Sequence, residues 1–165
     1  GLGTGQRVQK DHPRIMVLGE LDHLNSIIGW TISACKNKEL AKSLKKIQQD
    51  IFNFGADMSM PERDADLLKE DRITDLEHQI EKITDILPPL KEFILPGGSE
   101  FISRVHIART SCRNTERAMV SMFNNEGIDE LHGKYINRLS DYLFSLARLV
   151  KYNEGVKDEH WTLEK

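Results

Sequence analysis

The chain has 165 residues, 39% hydrophobic and 30% charged, with 23 Lys+Arg against 26 Asp+Glu and a formal net charge of −3. That length and apolar content suit one domain with a core of ordinary size. The near-balance of charge argues against a nucleic-acid partner, and no apolar run approaches the ~18 residues that a membrane helix requires.

Apolar residues recur at helical rather than strand spacing along almost the whole chain. A first segment, Arg14 to Ala34, steps through Val17, Leu21, Leu24, Ile28 and Thr31 and reads as a helix despite Gly19 and Gly29. The second steps through Leu40, Leu44, Ile47, Ile51, Phe54 and Met58, and the third through Ile73, Leu76, Ile80, Ile83 and Leu87. The fourth gives Phe101, Val105, Ala108, Cys112, Thr115, Met119 and Met122, and the fifth Ile136, Leu139, Leu143, Leu146 and Val150. Stops fall at Lys36-Asn37-Lys38, at Met60-Pro61-Glu62-Arg63-Asp64, at Pro88-Pro89 and at Asn124-Asn125-Glu126-Gly127. The pattern predicts an all-α, up-and-down five-helix bundle over residues 1–153. A polar, irregular tail over 154–165 follows, with Trp161 as its docking residue.

Cys35 and Cys112 are too few for a disulfide framework, and both sit in helical apolar patterns, so buried free thiols are expected. The chain opens on Gly1 with no basic-then-apolar leader. A cytoplasmic location, or an organellar matrix in a eukaryote, is the expectation.

One link differs from the others. Residues 88–99 carry Leu90, Phe93, Ile94 and Leu95 where a surface loop is usually polar, then Pro96, Gly97, Gly98 and Ser99. The glycines permit positive φ or close approach to the backbone, and Ser99 is placed to cap the fourth helix. Two readings stand: a well-packed crossover loop, or a loop that lines a pocket with a helix N-terminus facing an anion.

The fourth helix carries Arg109, Arg113 and Arg117 at four-residue steps, with Glu116 three residues after Arg113. Like charges so spaced repel by a few tenths of a kcal/mol. The stripe is either a solvated face or a polyanion site built on forked guanidinium–phosphate bonds. On the fifth helix Asn137 and Asp141 share a face, and on the first Asp22 and Asn25 stand beside the apolar stripe. Ion pairs of Asp22 or Asp141 with one of the arginines are the structural alternative. Glu20-x-x-His23 has the spacing seen in di-iron bundles, and Asp129-x-x-His132 is a loose second copy. No set of inward carboxylates completes it, so no protein-held metal is expected. His78, His106 and His160 lack ligand spacing and read as surface or boundary residues, and no nucleophile motif is present.

Taken together, five stretches resemble the PduO-type ATP:cob(I)alamin adenosyltransferases. They are Arg7-Val8-Gln9-Lys10-Asp11, residues 19–26 from Gly19 to Ser26, residues 88–99, residues 108–117 from Ala108 to Arg117, and residues 135–144 from Tyr135 to Phe144. The resemblance implies a bundle that assembles as a homotrimer, with an active site at each subunit interface. It implies transfer of the 5′-deoxyadenosyl group of ATP to the cobalt of cob(I)alamin, with Mg2+ on the phosphates and triphosphate released. By match of motif, Lys10, Arg113, Asn114, Thr115, Glu116 and Arg117 would serve ATP, and Asn137 would contact the nucleotide. Arg109 would pair with Asp22 of a neighbouring subunit. Phe93 would stand beside the corrin and keep the lower axial ligand off cobalt. A reductase or an adenosylcobalamin-dependent acceptor enzyme would be a partner.

Some positions depart from the family pattern. The sequence starts within the stretch that follows the family's N-terminal Thr-Lys-Thr-Gly-Asp phosphate loop, Asn114 replaces the second arginine of a pair, Met16 a glutamate, and His23 the glutamate of an Asp-Glu-Leu-Asn run. The alternative is a noncatalytic protein that binds ATP or adenosylcobalamin as a sensor or delivery partner.

Overall fold

The computed structural model describes residues 1–5, 7–60, 67–126 and 130–162, the side chains of 125 and 126 excepted. Five helices make up the architecture: α1 (Pro13–Ser33), α2 (Lys38–Ser59), α3 (Asp71–Ile86), α4 (Glu100–Glu126) and α5 (Glu130–Asn153). Each begins or ends where local chemistry dictates. Pro13 opens α1 behind His12, whose Nδ1 accepts from the Arg14 N–H at 3.3 Å. Asn37 caps α2 by accepting from the Glu39 and Leu40 N–H groups at 3.0 Å. α3 stops at Ile86, before Pro88-Pro89. α4 runs to Glu126, within the Asn124–Gly127 cluster expected to close it. The proposed stop at Pro61-Glu62-Arg63-Asp64, with Gly127 and Asp129, lies outside the described residues.

The 3/4 stripes meet in one core, in which Leu24, Ile28, Leu44, Phe54, Ile102, Leu139 and Leu143 are fully enclosed. The helices alternate in direction, but their order in space is α2–α1–α4–α5–α3. α3 therefore packs beside α5 and parallel to it, with Glu77 meeting Arg138 and Pro88 meeting Arg148. The link from α3 to α4 must cross over the end of α5.

Two enclosed carboxylates, Asp50 and Asp57, are paired inside this core. Asp50 of α2 takes a forked pair of hydrogen bonds from Arg72 of α3, at 2.9 and 2.8 Å, and a third from the Tyr135 hydroxyl of α5 at 3.0 Å. The bond to Asp50 raises the Arg72 pKa, and burial drives the Tyr135 hydroxyl well above its ordinary value. Asp57 accepts from the Leu67 and Leu68 N–H groups and lies 3.0 Å from Nε2 of His132, whose ring packs on Phe54. Of the two cysteines, Cys112 is buried but Cys35 is only half-buried, because it sits just past the end of α1.

Removing one partner from a buried charge network leaves the others unpaired, at about 3–5 kcal/mol. Asp50→Ala should accordingly lower unfolding free energy in urea by roughly 3 kcal/mol or more. A loss below about 1 kcal/mol, the range of exposed pairs, would show that the network does not hold α3.

Candidate active site

A four-residue step on a helix of 3.6 residues per turn advances the side chain by about 40°. The arginine stripe on α4 therefore drifts away from the core: Arg109 is half-buried, while Arg113 and Arg117 are exposed. Glu116 lies between them and is held from two sides. Arg113 Nη1 donates to its Oε2, and Asn137 Nδ2 of α5 donates to its Oε1 at 3.1 Å. Arg113, Glu116 and Asn137 thus form one polar chain across the α4–α5 seam. Arg117 donates to Asn114 Oδ1.

Other candidates fall elsewhere. Thr115 is buried, with its hydroxyl donating to the Ser111 carbonyl at 3.1 Å, so its side chain does not join this face. Asp141 is taken by Arg138 at 3.0 Å rather than by the α4 stripe. The bonds to Glu77 and then Asp141 raise the Arg138 pKa. Lys10 is exposed and precedes α1. Because α1 and α4 are antiparallel, Lys10 stands at the Arg117 end of the bundle. Glu20 is half-buried with Oε2 unpaired, and His23 is exposed; no group of three metal-ligating side chains occurs among the described residues. A groove of about 1060 Å³ lies between the α1–α2 link, α2, α3, the start of α4 and the end of α5 and touches none of these residues.

Arg109 is the anomaly of the stripe. Its Nε is shielded from solvent with no partner, and burial, then the Arg113 charge, lowers its pKa. Asp22 is exposed and makes no ion pair among the described residues. His106, expected as a surface or boundary residue, is buried beside Arg109, because one turn back from Arg109 the helix faces the end of α5. Its proximity to Lys151 could not be read from spacing on α4 alone.

The apolar link is not packed into the core. Leu90 and Leu95 are exposed, and Phe93 stands 80% exposed. The loop is held through its backbone: Trp161 N–H donates to the Phe93 carbonyl at 2.9 Å and Leu95 N–H to the Glu159 carbonyl at 2.7 Å. Ile94 and His160 form the resulting antiparallel bridge. Trp161 thus docks through its backbone N–H. Gly98 has φ +145°, and a Cβ there would lie 3.1 Å from Ile102, so the turn into α4 needs glycine. The Ser99 hydroxyl donates to Glu154 at 3.2 Å instead of making the capping bond expected of it.

Residues 1–150 match a family model described as cobalamin adenosyltransferase. A cobalamin adenosyltransferase of Cupriavidus metallidurans is 40% identical over 166 residues, covering 100% of this chain and 89% of its own. A corrinoid adenosyltransferase of Bacillus subtilis is 40% identical over 160 residues, with coverage of 94% and 83%. Among solved structures, a phenylalanine-to-alanine variant of a PduO-type ATP:corrinoid adenosyltransferase from Lactobacillus reuteri, complexed with cobalamin and ATP, superposes with a TM-score of 0.92 at 35% identity. The likeness spans 98% of this chain and 93% of that one.

The buried histidine beside the stripe makes its own prediction. Burial, with repulsion from Arg109 and then Lys151 and against the pull of Asp158, lowers the His106 pKa to about 4. Between about pH 6.5 and 4 the unfolded chain takes up this proton and the folded chain does not, so stability falls as pH falls through that window. The urea midpoint at pH 5 should lie below that at pH 7, and His106→Gln should shrink the difference. An unaltered pH slope in the variant would reject His106 as its source.

Proposed function

This chain belongs to the cobalamin adenosyltransferase family, and from that premise we propose that it transfers the 5′-deoxyadenosyl group of ATP to the cobalt of cob(I)alamin, giving adenosylcobalamin and triphosphate. The observation that carries this reading is the Arg113–Glu116–Asn137 chain, with Arg117 at its outer edge. The Lactobacillus reuteri relative, solved with cobalamin and ATP, supports it.

The substrate supplies its own nucleophile. The electron pair of cobalt(I) forms the bond to C5′ as the C5′–O bond breaks, and triphosphate leaves with the bonding pair. No serine, cysteine or histidine has to be activated. The protein's tasks are to align cobalt with C5′ and to stabilise charge on the leaving triphosphate. Arg113 and Arg117 serve the second task, with Lys10 from the α1 end. Glu116 fixes the Arg113 guanidinium and the Asn137 amide, so that neither reorganises during the reaction. Asn114 backs Arg117, and Thr115 holds the helical turn beneath the stripe. Phe93, an apolar side chain held out from the fold, covers the corrin and keeps water and the lower axial ligand from cobalt.

Magnesium fits as an ion bound mainly by phosphate oxygens and water, since Glu116 is already engaged and no three-ligand cluster exists among the described residues. When bound it offsets charge on the leaving group. The desolvated, unpaired Arg109 and the outward Asp22 suit a pairing between subunits, and exposed Met16 and Trp30 on the outer face of α1 suit a covered surface. A homotrimer with sites at its seams is the assembly proposed. Residues 1–153 form its catalytic unit, with residues from 154 onward as a tail. Reduced corrinoid must be supplied and product handed on, so a reductase and an adenosylcobalamin-dependent acceptor are the proposed partners. No helix of the described residues is long and apolar enough to cross a membrane, and the bacterial relatives suggest the cytoplasm.

The deciding assay is anaerobic: chemically reduced cobalamin, Mg-ATP and the protein, followed by absorbance for light-sensitive adenosylcobalamin. Arg113→Ala should lower kcat by about 10²–10³ with helix content intact; unchanged turnover would remove Arg113 from the phosphate site. Phe93→Ala should slow alkylation while leaving ATP affinity and the unfolding midpoint unaltered, because the ring contributes little buried area. Light scattering tests the seam. Asp22→Arg should dissociate the assembly and Asp22→Arg with Arg109→Asp should restore it, whereas an intact oligomer in the single variant would refute the pairing.

A further inference from the structure

The end of the chain makes a second structure at the end of the bundle. α5 finishes with Gly155 at φ +68°, its N–H bonding the Tyr152 carbonyl at 3.0 Å while the Val156 N–H reaches the Lys151 carbonyl at 3.1 Å. That paired reverse bonding is a helix terminus which turns the chain back across its own last turn. Arg148 and Lys151, one turn apart on α5, are both largely buried there. Two enclosed cations without an anion would be strongly unfavourable. Asp158 supplies the anion, with its carboxylate oxygens 3.8 Å from Arg148 Nε and 3.7 Å from Lys151 Nζ. Arg148 also donates to the Pro88 carbonyl at 3.0 Å, which joins this anchor to the start of the loop. From Asp158 the chain runs extended along residues 93–95, and its Trp161 N–H takes the carbonyl of Phe93 itself. The outer pair His160–Glu92, 3.8 Å apart and solvated, adds little.

An exposed aromatic ring has no packing of its own to fix its direction. The backbone that carries it must be fixed instead, and here both hydrogen bonds around Phe93 come from the tail. We infer that the segment Asp158–Trp161 is the positioning element for Phe93, with Asp158 as its anchor and the Trp161 N–H as its contact. This rests on the corrin-facing role of Phe93 proposed above. Asp158 and Trp161 are positioning residues, acting on the corrinoid through the Phe93 loop.

Two variants test it in the full chain: Asp158→Asn, which keeps the shape and removes the charge, and Trp161→Pro, which removes the N–H donor. Each should lower the rate of cob(I)alamin alkylation by about ten- to a hundredfold, as for a small misplacement of a reacting group. KM for ATP should stay unchanged, and Asp158→Glu should recover much of the loss. The decisive comparison is the same pair of substitutions in a Phe93→Ala background, where neither should slow the reaction further. Equal losses in both backgrounds, or a raised KM for ATP, would overturn the inference and leave the role of Phe93 intact. Phe93→Ala with unaltered turnover would refute the role of Phe93, and the inference with it.

Discussion

The carboxylate of Asp50 sets the arrangement on which the rest depends. It binds α2, α3 and α5 together, through Arg72 and Tyr135. Forked geometry fixes direction as well as proximity, so α3 lies along α5 rather than anywhere else on the bundle. Once α3 is there, its link to α4 has to pass over the end of α5. The apolar loop is carried outward by that crossing.

The two halves of the site obey opposite rules. On α4 the charges are held by neighbours in the same protomer: Glu116 is bound from both sides, and Arg117 leans on Asn114. Such groups are already oriented for the polyanion proposed to bind there. Arg109 has no such neighbour, and its Nε is desolvated without a partner, as the proposed pairing between subunits requires. The stripe therefore contains two kinds of arginine, separated by the slow rotation of a four-residue step around the helix. The outer ones suit a soluble ligand, and the inner one suits a protein surface.

Most of the helical frame was legible in the sequence, because burial of one stripe per helix leaves a period that spacing alone reveals. Leu44, Ile51 and Phe54 on α2 and Leu139, Leu143 and Leu146 on α5 are buried as their spacing requires. The pairing of Arg113 with Glu116 was legible for the same reason, being a contact within one helix. Contacts between helices were not. Asp50 looks like a polar interruption next to Ile51 until Arg72 and Tyr135 are placed beside it. His106 reads as a boundary residue because the enclosing groups, Lys151 and Asp158, come from the far end of the chain. The loop at Phe93 was recognisable as unusual from its composition, but its partner strand lay in a tail whose polarity suggested no structure. Family resemblance added what neither period nor composition contains, namely which small molecules the charged face is proposed to meet.

The bridge between Ile94 and His160 also bears on the order in which the molecule assembles. It joins segments separated by the whole of α4 and α5, whereas the bonds within each helix close over a few residues. Contacts of such long sequence separation are slow to form, since the intervening chain must first be ordered. They also sit at the rim, with little apolar burial to resist local opening. The surface around Phe93 is therefore among the last parts of the fold to be completed during synthesis, after the final turn of α5 has left the ribosome. In native-state hydrogen exchange the amides of Leu95 and Trp161 should open together and ahead of the helices, as one small cooperative unit with its own lifetime.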